Sequence, residues 1–251
     1  MPKYFYKYLK TNLSKIDLAL TLLGSIYPWH CRICGEQTQN QGFCDACQRY
    51  LPWIGGNDHC RICSLPLKLN RGKDLICGQC QKIPPYYYQL NSAFWYEAPI
   101  DDLITELKYF KCWENAQTLV ELTKQNFLDS CADTLVVPTP SHPIRVKQRG
   151  FNVAYELIKL FKQGHSFESD NTLVNRVINT EPQMGKNKTE RKKNVHKVFC
   201  ANKTLSNKHI TIVDDVVTTG ATVNELSRCL KNAGAEKISV WTIARTRVRD
   251  K

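Results

Sequence analysis

Beyond residue 90 the apolar positions follow two alternating rhythms. Ser92 to Tyr96, Thr134 to Val137, Leu173 to Ile178, Ile210 to Val213 and Lys237 to Ile243 are short runs rich in β-branched and aromatic residues, and each reads as a strand. Between them the apolar residues recur every three or four positions. Ile100, Leu103, Ile104 and Leu107 form one helix face, and a second helix is expected near Gln117 to Leu128. Phe151, Ala154, Leu157, Ile158 and Phe161 mark a third, and Val223, Leu226, Leu230 and Ala233 a fourth. Strands alternating with helices predict an α/β fold with a mostly parallel sheet flanked by helices. Ligands of such sheets bind at the carboxyl ends of the strands.

The N-terminal part has a different pattern. Ser14 with Asp17, followed by Ala19, Leu20, Leu23 and Tyr27, predicts a capped amphipathic helix within residues 1–28. No run of ~18 apolar residues occurs, so no integral membrane segment is expected, and no export signal is read. Ile83-Pro84-Pro85-Tyr86-Tyr87-Tyr88 breaks the composition and reads as a linker. The expected organisation is an N-terminal helix at 1–28, a small cysteine-rich domain at 29–82 and the α/β domain at 92–248.

The cysteine-rich segment carries the first chemistry. The tetrapeptide CRIC occurs at Cys31 to Cys34 and again at Cys60 to Cys63, and each copy is followed by a further pair, Cys44/Cys47 and Cys77/Cys80. Two CxxC turns place four thiolates in a tetrahedron, the arrangement that suits zinc in a ribbon. A thioredoxin-like redox role would need a single CxxC in a βαβ unit. Gly35 and Gly78 are expected in the tight knuckle turns. Spacing leaves open whether neighbouring knuckles pair or cross, first with third and second with fourth, and whether one or two zinc ions are held. Cys112, Cys131, Cys200 and Cys229 are isolated and read as thiols without a role. Trp29, Phe43, Tyr50 and Trp53, with Arg32, Arg49 and Arg61, offer stacking and charge to nucleic acid.

The second motif is Ile210-Thr211-Ile212-Val213-Asp214-Asp215-Val216-Val217-Thr218-Thr219-Gly220-Ala221-Thr222. An apolar strand runs into adjacent carboxylates and then a small hydroxyl-rich loop opening into a helix. Hydroxyls and backbone N–H groups around Gly220 form a cup suited to a phosphate dianion. The carboxylates suit the vicinal hydroxyls of a ribose. Neither GxxxxGK[ST] nor GxGxxG is present.

This stretch resembles the 5-phosphoribosyl-1-pyrophosphate (PRPP) motif of type I phosphoribosyltransferases. The chain as a whole resembles the ComF family of competence proteins, through the ordered knuckles, Leu107-Lys108-Tyr109, Val137-Pro138-Thr139-Pro140, Arg149-Gly150-Phe151-Asn152, and the run from Val213 to Thr222. The resemblance implies a type I phosphoribosyltransferase-like domain in which Asp214 and Asp215 hold ribose hydroxyls. Val217, Thr218, Thr219, Gly220, Ala221 and Thr222 would hold the 5-phosphate, while Arg149 and Arg191 contact ligand phosphates. Mg²⁺ would accompany PRPP. It also implies a cytoplasmic competence accessory protein handling incoming single-stranded DNA during natural transformation, beside a helicase or recombination proteins. An active phosphoribosyltransferase acting on a base, and a zinc-dependent protein adaptor, are the alternatives.

Charge bears on the DNA reading. The net charge is +12, and Glu181 to His209 holds eight Lys or Arg against two Glu, half of that excess. Lys186, Lys188, Arg191, Lys192, Lys193 and Lys197 are its core and the expected nucleic-acid contacts.

Overall fold

The structure, a computed structural model, describes residues 29–38, 42–55, 59–67, 75–177 and 198–247. The predicted helix within 1–28 and the basic residues Lys186, Lys188, Arg191, Lys192, Lys193 and Lys197 lie outside the described residues. The chain divides into two compact units, Met1–Leu51 and Pro52–Lys251.

In the first unit, β1 (Trp29–His30) pairs antiparallel with β2 (Gln37–Thr38), and a one-turn helix, α1 (Asp45–Gln48), follows. In the second unit, a second cysteine segment ends in α2 (Gly78–Lys82) and precedes the sheet. Then come β3 (Gln89–Trp95), α3 (Ile100–Phe110), α4 (Trp113–Cys131), β4 (Leu135–Pro138), α5 (Pro143–Arg149) and α6 (Val153–Phe161). They are followed by β5 (Val174–Arg176), β6 (Phe199–Ala201), β7 (His209–Val217), α7 (Ala221–Asn232) and β8 (Lys237–Arg245).

Four strands form one parallel sheet in the order β3-β8-β7-β4. Residue alternation divides its two faces. Trp241 points to one, where its ring meets Phe127 of α4 at 5.0 Å and Phe161 of α6 at 5.2 Å, both edge-on. Its indole N–H donates to Asn126 Oδ1 at 2.8 Å. Ile238 and Val240 point the other way, into a core shared with Val223, Leu226 and Leu230 of α7. Helices cover both faces, as parallel sheets require. Among the described residues, no helix is long and apolar enough to cross a membrane.

Two of the expected elements differ from the pattern reading, and α5 and β6 were not expected. The strand expected at Leu173 to Ile178 shortens to β5 and pairs antiparallel with β6, outside the parallel sheet. The strand expected to stop at Val213 runs on to Val217, so Asp214 and Asp215 lie within β7. Asp214 stands opposite Thr242, and Val217 opposite Arg245. Continuous pairing with β8 overrides the low strand preference of aspartate.

The edge strand β3 is not bare. Residues 52–54 run antiparallel to it: Ile54 N–H donates to the Ala93 carbonyl at 2.9 Å and Trp95 N–H to the Pro52 carbonyl at 2.7 Å. Trp53 lies against Phe94 with ring centroids 4.2 Å apart. Further along, Leu90 N–H donates to the Ile62 carbonyl at 2.8 Å. A sheet edge that would otherwise template foreign strands is thus closed by the chain that precedes it.

Candidate functional site

The eight knuckle cysteines form two groups, Cys31/Cys34/Cys44/Cys47 and Cys60/Cys63/Cys77/Cys80. Within each, the ligand atoms lie within 4.8 Å of one another. Neighbouring knuckles therefore pair, and the crossed arrangement is excluded. The two groups share one backbone plan. Cys31 N–H donates to the Glu36 carbonyl and Cys60 N–H to that of Leu65, both at 2.7 Å. Gly35 N–H returns to Cys31 and Ser64 N–H to Cys60, at 2.9 and 2.8 Å. Gln48 and Gln81 each donate their side-chain amide to a carbonyl five residues back, Phe43 and Ile76.

The turn after each CRIC needs a left-handed residue. Gly35 supplies it at φ 74°, and Ser64 supplies it in the second copy at φ 55°. Gly78 does not serve a turn: it opens α2. Four clustered thiols without a cation cannot ionise together. The Cys60 thiol is held down to about 4, chiefly by a hydrogen bond with Cys63, while the same bond and burial push Cys63 far up. A divalent soft cation removes that conflict, and four converging sulfurs are the donor set of structural zinc. Each group fits one Zn²⁺.

The other site lies at the carboxyl end of β7. The Asp215 carboxylate receives Lys108 Nζ from α3 at 2.9 Å, with both side chains largely buried. Asp215 N–H donates to Asp214 Oδ1 at 2.9 Å, and Val216 N–H to Asp215 Oδ1 at 2.6 Å. Burial first, and then the Asp215 charge beside it, raise the Asp214 carboxyl to about 7; Lys108 opposes the shift. The pair thus consists of one carboxylate ion-paired with Lys108 and one whose titration is moved to about 7.

Three residues beyond the strand, Gly220 sits at φ 79° before α7. Thr219 Oγ1 accepts from Ala221 N–H at 3.3 Å. Thr218, Thr219, Ala221 and Thr222 are exposed around that turn, and Val217 is buried beneath it. First-turn N–H groups of a helix have no carbonyl behind them, so this turn presents donors and hydroxyls to solvent. Gly220→Ala would force a side chain into the left-handed region. It is expected to weaken any anion bound here severalfold and to cost about 1–2 kcal/mol of stability in urea titration.

Lys108 was legible only as part of Leu107-Lys108-Tyr109. Its neighbours Tyr109 and Phe110 are 66% and 77% exposed, and Trp113 is 42% exposed. Arg149, at the end of α5, holds its guanidinium 5.3 Å from the Tyr109 ring centroid. Trp113 lies 4.6 Å from Phe151. A cavity of about 370 Å³ adjoins the end of β4, lined by Pro138, Pro140, Asn152, Tyr155, Asn175 and Arg176. Arg176 is close enough to Asp214 and Arg145 to feel both charges.

Residues 22–81 match the double zinc ribbon domain and residues 145–251 match the phosphoribosyl transferase domain. Fold and site together define a protein with a double zinc ribbon ahead of a phosphoribosyltransferase-type α/β domain. The DNA utilization protein YhgH of Salmonella typhimurium is 30% identical over 87% of this chain and 96% of its own length. Competence protein F of Haemophilus influenzae is 28% identical over 86% and 95%. Competence protein ComFC of Bacillus subtilis is 23% identical over 89% and 98%. The chain belongs to this ComF family of competence and DNA-utilization proteins.

Proposed function

We propose that the protein handles incoming single-stranded DNA in the cytoplasm during natural transformation, with PRPP or a nucleotide-like phosphate held in the turn after β7. The observation that carries this reading is the juxtaposition at α3. Lys108 reaches inward to Asp215, while the adjoining Tyr109, Phe110 and Trp113 face solvent with Arg149 over Tyr109. Exposed aromatic rings interleaved with cations bind single strands by stacking and phosphate charge, with little dependence on base identity. Asp214 and Asp215 would accept from ribose hydroxyls, and Val217, Thr218, Thr219, Gly220, Ala221 and Thr222 would take the 5-phosphate. Asp215 already pairs with Lys108, so the acidic pair suits hydroxyl donors better than a bare divalent cation. Any Mg²⁺ would arrive on the pyrophosphate of PRPP.

Titrating PRPP and an oligothymidylate against the same sample, alone and in competition, tests both halves. Strand affinity should fall log-linearly with salt. The slope should become shallower after charge reversal of Lys186, Lys188, Arg191, Lys192, Lys193 or Lys197. Tyr109→Ala or Trp113→Ala should weaken binding by about tenfold or more, as loss of a stacked base does. Absent or salt-independent strand binding would sink the DNA half.

A second reading is supported by the cavity beside β4. It could seat an acceptor base next to the ribose, making the protein an active phosphoribosyltransferase. Pyrophosphate release from PRPP with one of a panel of bases, lost in Asp215→Ala, would establish that reading.

A further inference from the structure

Arg245 ends β8 and is 2% exposed, a buried cation whose described hydrogen bonds all run to backbone carbonyls. Its Nε donates to the Cys63 carbonyl at 3.1 Å, inside the second zinc knuckle. Its Nη1 donates to the Val217 carbonyl at 2.9 Å and to that of Thr218, the first residues of the turn after β7. One planar fork therefore joins a metal-ligand residue to the backbone of the candidate phosphate cup.

The burial has an electrostatic reason. Four thiolates on one Zn²⁺ leave a net charge of −2, and a guanidinium beside them offsets part of it. Desolvating an arginine is costly unless most of its donors are met, so the fork is fixed only where the carbonyls converge. Each anchor is reinforced locally. Thr246 N–H donates to the same Val217 carbonyl at 3.1 Å. Ser64 Oγ donates to the Leu90 carbonyl, tying the knuckle to β3. A second strap runs parallel to the first. Tyr86 N–H donates to Asn224 Oδ1 of α7 at 2.8 Å, and the buried Tyr87 hydroxyl lies 3.7 Å from where a Cβ on Gly220 would stand.

We propose that Arg245 is a positioning residue through which the second zinc ribbon sets the backbone of the Val217–Thr222 turn, so that zinc in that ribbon and phosphate in that turn bind cooperatively. This rests on the turn being an anion site, as proposed above. Lysine could not replace the residue, because a single ammonium cannot serve carbonyls on two sides in a fixed plane. Coupling of this kind is reciprocal: if zinc orders the turn, a ligand in the turn must tighten zinc by the same factor.

The test uses the full zinc-loaded chain and ribose 5-phosphate as the probe. Zinc affinity is measured by competition with a chelating dye, with and without saturating ribose 5-phosphate, in the wild type, Arg245→Lys and Arg245→Met. Saturating ligand should tighten one of the two zinc ions about tenfold in the wild type. It should tighten that ion less in Arg245→Lys and not at all in Arg245→Met. Amide exchange at Thr218 to Thr222, referenced to the sheet interior at Ile210 to Val213, should quicken in both variants while zinc content stays at two. Equal tightening in the wild type and Arg245→Met would overturn the proposal, because the coupling would then run through folding as a whole. Wild-type zinc affinity indifferent to bound ribose 5-phosphate would overturn it as well. A wild type that fails to bind ribose 5-phosphate would instead remove the anion-site reading. If Arg245→Met does not fold, the wild type against Arg245→Lys decides, since lysine keeps the charge and loses the fork.

Discussion

Cys60→Ser is expected to leave one zinc ion per chain instead of two, and to lower the melting temperature of the sheet-bearing unit by about 10 °C or more. Cys60 is completely buried, and the interior of its ribbon consists of Cys60, Cys63 and Cys80. Ile62, Leu65, Leu67 and Ile76 pack around them only partly buried. So few apolar side chains cannot offset the ordering of the segment, which costs about 1–2 kcal/mol per residue in backbone freedom alone. Zinc supplies the difference.

The consequences spread beyond the ribbon. Losing it uncovers the β3 edge at Leu90, whose N–H is met by Ile62. It also strips Arg245 of the Cys63 carbonyl. A buried charged donor left without its acceptor costs about 1–3 kcal/mol or more. Zinc counted by a chelating dye, together with scanning calorimetry, checks the expectation. Loss of one zinc with an unchanged transition would show that the ribbon is not part of the cooperative unit.

The main sheet was readable in advance because its strands are buried on both faces and appear as short runs rich in β-branched and aromatic residues, as in Ile210 to Val213 and Lys237 to Ile243. The zinc clusters were readable because spacing alone brings two sulfurs together within a knuckle; which knuckles meet required three dimensions. β5 and β6 were harder. Residues 174–176 and 199–201 have the composition of strands, but only pairing shows that they lie outside the parallel sheet. Lys108 and Arg245 show the limit most clearly. Each reads in sequence as an ordinary cation on a helix or at a strand end. Arg245 meets Cys63 across 182 positions and Val217 across 28, distances over which local pattern carries no information. Ser64 in the left-handed turn was hidden for a different reason, since the equivalent position in the first ribbon is a glycine.

Asp214→Asn is expected to weaken ribose 5-phosphate about 10–100-fold at pH 8, the loss of hydrogen bonds to a charged acceptor. It should also make the unliganded protein more stable at that pH. The two effects share one origin. Burial and the neighbouring Asp215 raise the Asp214 carboxyl from its ordinary 3.8 to about 7. The fold therefore resists its ionisation, and the penalty is fully present above pH 7. It fades as pH falls through the folded value and is gone below about 4, where the unfolded chain is protonated too. Asparagine removes the penalty, so the melting temperature should rise at pH 8 and stay unchanged near pH 4. Ribose hydroxyls donate to the carboxylate and pull its pKa back down. Binding near pH 7 should then release a proton, visible in calorimetry as a heat that varies with the ionisation enthalpy of the buffer. Between pH 5 and 7 wild-type affinity should climb more steeply than that of Asp214→Asn, whose remaining dependence is the ionisation of the ligand's own phosphate at about 6. A variant that loses affinity and stability together would indicate a folding defect. Identical pH profiles in the wild type and Asp214→Asn would mean that the ligand does not engage Asp214. Gaining stability while losing the ligand is the signature of a carboxylate held ionised for binding at the expense of the fold.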